Sequence, residues 1–161
     1  MKILVVSDTH RKDDNLKLVL SEECPLDMLI HLGDAEGSEH FILDWVNPEC
    51  RMEMVLGNND FFSRLDRERE IDIAGHKAFI THGHYYGVSM GPEGLVDEAK
   101  SRGCDIAMYG HTHRPFLDVI DGVTVLNPGS LSYPRQEGRR PSYMIIHVDA
   151  DGKMDYQQKY L

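Results

Sequence analysis

Five short apolar runs in this chain each end in a polar or glycine-bearing cluster. Ile3-Leu4-Val5-Val6 passes into Ser7-Asp8-Thr9-His10, and Met28-Leu29-Ile30-His31-Leu32 into Gly33-Asp34. Met54-Val55-Leu56 passes into Gly57-Asn58-Asn59-Asp60, Ala78-Phe79-Ile80 into Thr81-His82-Gly83-His84, and Ile106-Ala107-Met108-Tyr109 into Gly110-His111-Thr112-His113. Apolar runs this short that do not alternate with polar residues read as buried strands, so the polar clusters fall on the loops that leave them.

Between the first three strands the apolar spacing changes to that of helices. Leu16, Leu18, Val19 and Leu20 predict a helix over 13–22 that ends before Pro25, and Phe41, Ile42, Trp45 and Val46 predict a second over 38–46 before Pro48. With strands at 2–6, 28–32 and 51–56 this is a β-α-β-α-β opening, which predicts parallel strands joined by right-handed crossovers. The second half reads differently. Strands at 70–74 and 77–81 flank Gly75-His76 as a hairpin, and a helix over 91–101 precedes a strand at 105–109. Two further hairpins turn at Asp121-Gly122, between strands 116–120 and 123–126, and at Asp151-Gly152, between strands 142–148 and 153–160. The polar stretch 135–140 is expected to be a mobile loop.

Composition narrows the class. At 161 residues the chain is expected to form one domain over 1–161, and 41% hydrophobic with 27% charged residues is ordinary for a globular protein. No apolar run approaches the ~20 residues of a membrane helix, and the opening apolar run is too short for a signal peptide. Cys24, Cys50 and Cys104 are odd in number and lack C-x-x-C spacing, so reduced thiols and a cytoplasmic location are expected, with no membrane partner. The net charge of −10 opposes strong nucleic-acid binding, which depends on a cationic surface. A small anionic substrate stays open, because bound divalent cations can reverse the local sign.

Two histidines one residue apart in Gly110-His111-Thr112-His113 would point to opposite faces of a strand, so they fit better on the turn after it. Alone this pattern is weak. Taken in order, however, Asp8-x-His10, Gly33-Asp34, Gly57-Asn58-x-Asp60, His82 and Gly110-His111-x-His113 resemble the calcineurin-like metallophosphoesterases, specifically their small minimal-domain phosphodiesterase branch, and the likeness runs on to Asn127-Pro128-Gly129-Ser130. The resemblance implies an α/β fold of two packed mixed β-sheets flanked by helices, a four-layer sandwich with a dinuclear centre at one sheet edge. It implies that Asp8, His10 and His113 hold one metal, that Asn58, His82 and His111 hold the other, and that Asp34 bridges them. Imidazole and carboxylate donors suit divalent transition metals, with Mn the first expectation and Ni, Fe, Co and Zn also compatible. Two such ions outweigh the charges of Asp8 and Asp34, so the pocket would attract a phosphate ester. By the same resemblance, a hydroxide bridging the ions attacks phosphorus in line, with no covalent protein intermediate.

Three further residues are candidates for catalysis. Asp60 is expected to orient its neighbours from behind the ligands. Asn59 stands where larger family members often carry histidine, and its amide cannot supply a proton at neutral pH. His84 is the substitute candidate for phosphate contact or general acid. His31, His40, His76 and His147 are read as structural or solvent-facing. Arg114 and Asn127-Pro128-Gly129-Ser130 could serve either the substrate or the fold. The expected substrate is a small phosphodiester in a shallow, open site, with a homodimer compatible. A phosphomonoesterase is one alternative. A protein-interaction scaffold, the role of the retromer subunit of this fold, is another, but such a scaffold has no chemical need for this ligand set.

Overall fold

The computed structural model describes residues 1–161. Two five-stranded mixed sheets pack face to face. The first has the order β10-β9-β1-β2-β3, from Met154–Tyr160, Ser142–Val148, Lys2–Val6, Met28–His31 and Arg51–Met54. The second has the order β4-β5-β6-β8-β7, from Glu68–Ile73, His76–Thr81, Ile106–Met108, Val123–Pro128 and Pro115–Ile120. As the β-α-β-α-β reading requires, β1, β2 and β3 are parallel. In the second sheet β5, β6 and β8 are parallel, and β4 and β7 pair antiparallel at its edges.

Burial explains the layers. Ile3 and Val5 of β1 face Ile80 and Met108 of the second sheet in a 16-residue core between the sheets. The alternate residues Leu4 and Val6 face outward, where they meet Leu16, Val19 and Leu20 of α1 (Asp14–Glu23). On the far side, Leu95, Val96 and Ala99 of α3 (Glu93–Ser101) cover Phe79 and Ala107. Both faces of the central strands are therefore buried, which is why they read as unbroken apolar runs.

Two local expectations are corrected. The second helix is the single turn α2 (Glu39–Ile42), not 38–46. Beyond Ile42 the backbone shifts to i→i−3 bonds, from Asp44 to Phe41 and from Trp45 to Ile42, and Phe41 and Leu43 stay exposed. In the β4–β5 hairpin the turn residues are Ala74 and Gly75, both at positive φ, and His76 already belongs to the strand. In the 135–140 stretch, Arg139 N–H donates to Gln136 O and Gln136 Nε2 to Arg140 O.

Candidate metal centre

The carboxyl ends of β1, β2, β3, β5 and β6 meet at one edge of the sandwich, and the loops leaving them carry all seven proposed ligands. The backbone of these loops is unusual. Asp8, His10, Asp34, His111 and His113 all have φ between 47° and 66°. Such left-handed residues cost about 1–3 kcal/mol each and collect at functional sites. The positive φ of both His111 and His113 takes them out of strand alternation and lets both rings turn inward. Two glycines make room for this. A Cβ on Gly57 would collide with the Asp34 carboxylate, and one on Gly110 with Ser7 Oγ and, at 2.8 Å, Asp8 Oδ2.

The donor atoms gather in two groups. In the first, Asp8 Oδ1 lies 3.1 Å from His113 Nε2 and 3.8 Å from His10 Nε2, and the two ring nitrogens are 3.2 Å apart. In the second, Asn58 Oδ1 lies 3.0 Å from both His82 Nε2 and His111 Nδ1. Asp34 Oδ2 stands between the groups, 3.7 Å from His10 Nε2 and 3.4 Å from His82 Nε2. Donors around one transition-metal ion at ~2.0–2.2 Å lie about 3 Å apart at right angles and up to about 4 Å apart at wider angles, so these separations fit.

The hydrogen bonding behind the donors fixes which nitrogens face inward with lone pairs. His82 Nδ1–H donates to Leu32 O and His113 Nδ1–H to Tyr133 O, both at 2.7 Å. His10 Nδ1 pairs with Glu36 Oε1 at 2.6 Å. A carbonyl only accepts, so in neutral His82 and His113 the proton sits on Nδ1 and Nε2 presents a lone pair. Asp8 is fully buried, and its Oδ2 accepts from Ser7 Oγ and the His111 amide, yet Oδ1 has no hydrogen-bond partner. A buried carboxylate oxygen without a donor, facing imidazole lone pairs, fits a cation and is costly without one.

The two buried carboxylates favour positive charge beside them. Burial disfavours charge on Asp8, but His113 and His82 outweigh it and hold the carboxyl below its usual range. For Asp34 burial is likewise overcome, by His82 and by the Asn59 backbone and side chain, and the carboxyl is held well below its usual range. Burial opposes protonation of His82, and the facing Asp34 and Asp8 charges reverse this and raise its pKa. His111 is lowered by burial and then by His82.

The catalytic candidates lie within the same cluster. Asp60 makes no hydrogen bond to a ligand side chain. It accepts from the Asp34, Gly57 and Glu36 amides at 2.6–2.8 Å, so it positions three backbone segments. Asn59 is turned onto Asp34 by two hydrogen bonds. His84 opens a 3-10 turn (His84–Tyr86), its ring centroid 5.4 Å from that of His82 and 6.0 Å from that of His111. Burial, then the charges of His82 and His111, pull its pKa down to about 4, so its imidazole is neutral at pH 7.

Asn127 and Ser130 are fully buried beneath the loops and away from the substrate side. Asn127 Nδ2 donates to Gly110 O and Thr112 Oγ1, and Ser130 Oγ to Asp8 O. His31 likewise backs the site, paired with Thr9 Oγ1 at 3.0 Å. Sequence reasoning missed Glu36 and Tyr133 as partners of the ligand histidines. Glu36 follows Gly33-Asp34 by two residues, but Tyr133 holds His113 through its carbonyl, which no side-chain pattern reveals, and packs its ring edge-on to His10 with centroids 5.3 Å apart.

A profile of the calcineurin-like phosphoesterase superfamily domain matches residues 1–151. A probable metallophosphoesterase of Bacillus subtilis is 30% identical over 153 residues, covering 94% of this chain and 86% of that protein. Among solved structures, a novel archaeal phosphodiesterase superposes with a TM-score of 0.78 at 28% identity, covering 100% of both chains. Vps29 of Entamoeba histolytica, complexed with Zn²⁺, has the same fold, with a TM-score of 0.75 at 21% identity over 99% of each chain.

Proposed function

Because the chain belongs to the calcineurin-like phosphoesterase superfamily, we propose that it is a dinuclear metal-dependent phosphodiesterase acting on a small phosphate ester as one cytoplasmic domain. The observation that carries this reading is the convergence of seven donor side chains, with Asp34 Oδ2 between His10 and His82 and Asp8 Oδ1 within 3.8 Å of His10, His82 and His113.

Asp8, His10 and His113 would hold one divalent ion and Asn58, His82 and His111 the other, with Asp34 common to both; Mn is the first choice, and Ni, Fe, Co or Zn suit the same donors. Bound there, two such ions would supply Lewis acidity at the phosphoryl oxygens and lower the pKa of an attacking water. The protein contributes orientation. Glu36, Tyr133 and Leu32 lock the histidine rings, while Asp60 and Asn59 lock Asp34. Neutral His84 is placed to donate an N–H hydrogen bond to a phosphoryl oxygen. No side chain in the cluster is set to protonate the leaving oxygen, which favours substrates with good leaving groups.

A protein-interaction scaffold is a second reading, favoured by the likeness to Vps29 and by exposed Phe61 and Phe62 beside the Asn58 loop. The ordered donor set weighs against it, because a docking surface does not require positive-φ ligand loops. Metal analysis of protein purified without chelator, followed by hydrolysis of bis-p-nitrophenyl phosphate and p-nitrophenyl phosphate with added Mn²⁺, decides between them. Bound metal with preferential diester turnover is expected. Metal-free protein inert towards both esters would overturn the proposal.

A further inference from the structure

Beside the first donor group the surface opens into a cleft of about 770 Å³, within the size range of small-ligand sites. His10, His113 and Asn59 line its metal side. Across from them stand Arg114, Arg135 and Arg139. Arg51, Arg69 and Arg102 are neutralised by Glu53, Glu68, Glu70 and Glu98, while the unpaired arginines outside the cleft, Arg11, Arg64 and Arg67, do not gather in one cleft as Arg114, Arg135 and Arg139 do. The three cleft arginines have no carboxylate partner and no side-chain hydrogen bond to the protein. Glu36 is the one carboxylate lining the cleft, and it is already turned to His10 Nδ1. In a chain of net charge −10, the metal centre therefore opens onto a cationic pocket.

The arginines stand on a fixed base. Arg114 directly follows His113, and the Arg135 amide donates to His113 O at 3.0 Å. Ser132 Oγ donates to Thr9 O and Lys12 O, which ties the preceding residues to the β1 loop. The opposite side of Asn59 borders a different cleft, lined by Phe61, Phe62, Glu39 and Arg11. The two clefts thus differ in kind: the one that reaches donor side chains is triply cationic, and its neighbour is aromatic with mixed charge.

We propose that the arginine cleft is an anion subsite that takes a phosphate monoester on one arm of the substrate, so that the substrate class is a phosphodiester bearing a second phosphate. The inference rests on the phosphodiesterase reading and names its substrate. Guanidinium groups bind phosphate through paired, charge-assisted hydrogen bonds, and three of them on a preorganised base favour a dianion over a neutral arm. The cleft's small volume and the acidity of the whole chain fit a small molecule better than a nucleic-acid strand.

Two measurements test this. In chelator-treated protein, calorimetry compares thymidine 3′-monophosphate with thymidine, and glycerophosphoinositol 4-phosphate with glycerophosphoinositol. The extra phosphate should tighten binding at least about tenfold in the pair that supplies the natural arm, nucleoside or headgroup, and R135Q/R139Q should abolish the gain. With Mn²⁺ added, thymidine 5′-(4-nitrophenyl phosphate) carrying a 3′-phosphate should exceed its unphosphorylated counterpart about tenfold in kcat/KM, mainly through KM, with the ratio near one in the double variant. Equal affinities in both pairs, or a preference that survives R135Q/R139Q, would overturn the subsite. A binding preference without hydrolysis of either diester would support the anion cleft and overturn the phosphodiesterase reading instead.

Discussion

Asn59 grips Asp34 at both carboxylate oxygens. Its backbone amide donates to Oδ1 and its side-chain Nδ2 to Oδ2, each at 2.8 Å. The Asp34 amide is held in turn by Asp60 Oδ2, also at 2.8 Å. The side chain common to both donor groups is thus fixed from three directions while its backbone stays in a left-handed conformation (φ 57°). The Asn59 side chain is engaged in positioning, which accounts for an amide where a proton donor might stand.

Asp34→Asn should therefore cost more than any other single change at the centre. It removes the charge shared by both groups and places an amide N–H or a neutral oxygen where Oδ2 faces His10 and His82. Turnover should fall at least ~10²-fold, with metal content reduced at both positions, since even partners behind the ligands are typically worth 10–100-fold. Asn59→Ala should fall in that smaller range and retain metal at saturating Mn²⁺. Metal analysis beside kcat on bis-p-nitrophenyl phosphate checks both. Asp34→Asn with two ions and ordinary turnover would remove Asp34 from the shared position.

His111 and His113 are two residues apart and serve different groups. His113 Nε2 lies 3.1 Å from Asp8 Oδ1, whereas His111 Nδ1 lies 3.0 Å from Asn58 Oδ1. His113→Ala should deplete mainly the ion near Asp8 and His10, and His111→Ala mainly the ion near Asn58 and His82. Anomalous scattering at the metal edge reads the two occupancies separately. Equal depletion of both sites in both variants would mean that the centre assembles as one unit.

Much of this was legible from residue order because each ligand follows a strand, and β1, β5 and β6 bury both faces, so their runs stand out. The order Asp8, Asp34, Asn58, His82, His111 carried the family resemblance and with it the layered fold. The helix expected over 38–46 shortens to one turn: Phe41, Ile42, Trp45 and Val46 lie at helical spacing, yet Phe41 stays exposed and the chain beyond Ile42 tightens into i→i−3 turns. The arginine cleft was illegible for another reason. Arg114, Arg135 and Arg139 meet only because the segment after β8 folds back over His113, a tertiary event with no local signature.

Away from the site, Glu23 predicts the acid limb of stability. Its side chain is 6% exposed and receives Lys159 Nζ at 2.5 Å, Lys2 Nζ at 2.7 Å and Tyr143 Oη at 3.0 Å. Burial raises its pKa, but Lys159, Lys2 and Tyr143 outweigh that and lower it from 4.5 to about 2. The unfolded chain therefore binds the proton more tightly, so the stabilisation is complete above about pH 4.5 and is lost as pH falls towards 2. Glu23→Gln should cost about 2 kcal/mol at pH 7, allowing for the partly exposed lysines, and almost nothing near pH 2. Urea unfolding of both proteins across that range checks it, and a pH-independent difference would assign the effect to packing.

The last prediction concerns the leaving group. Asn59 is committed to Asp34, and burial together with His82 and His111 draws His84 down to about 4, so neither supplies a proton at pH 7. A neutral His84 can still donate a hydrogen bond through its N–H, but it cannot release that proton to a departing alkoxide as imidazolium would. General acid catalysis is typically worth about 10²–10⁴-fold, mostly for poor leaving groups. Rates should therefore fall steeply as leaving-group pKa rises, with aryl diesters turned over far faster than alkyl diesters. Asn59→His should help alkyl substrates more than aryl ones, provided metal content is held constant. His84→Ala should slow both classes by a similar factor, since a lost hydrogen bond to a phosphoryl oxygen does not depend on which group departs. Plots of kcat/KM against leaving-group pKa, with chemistry shown to be rate-limiting, separate the cases. A flat plot for the unaltered protein that turns steep in His84→Ala would identify His84 as a general acid after all, with its pKa lifted in the substrate complex.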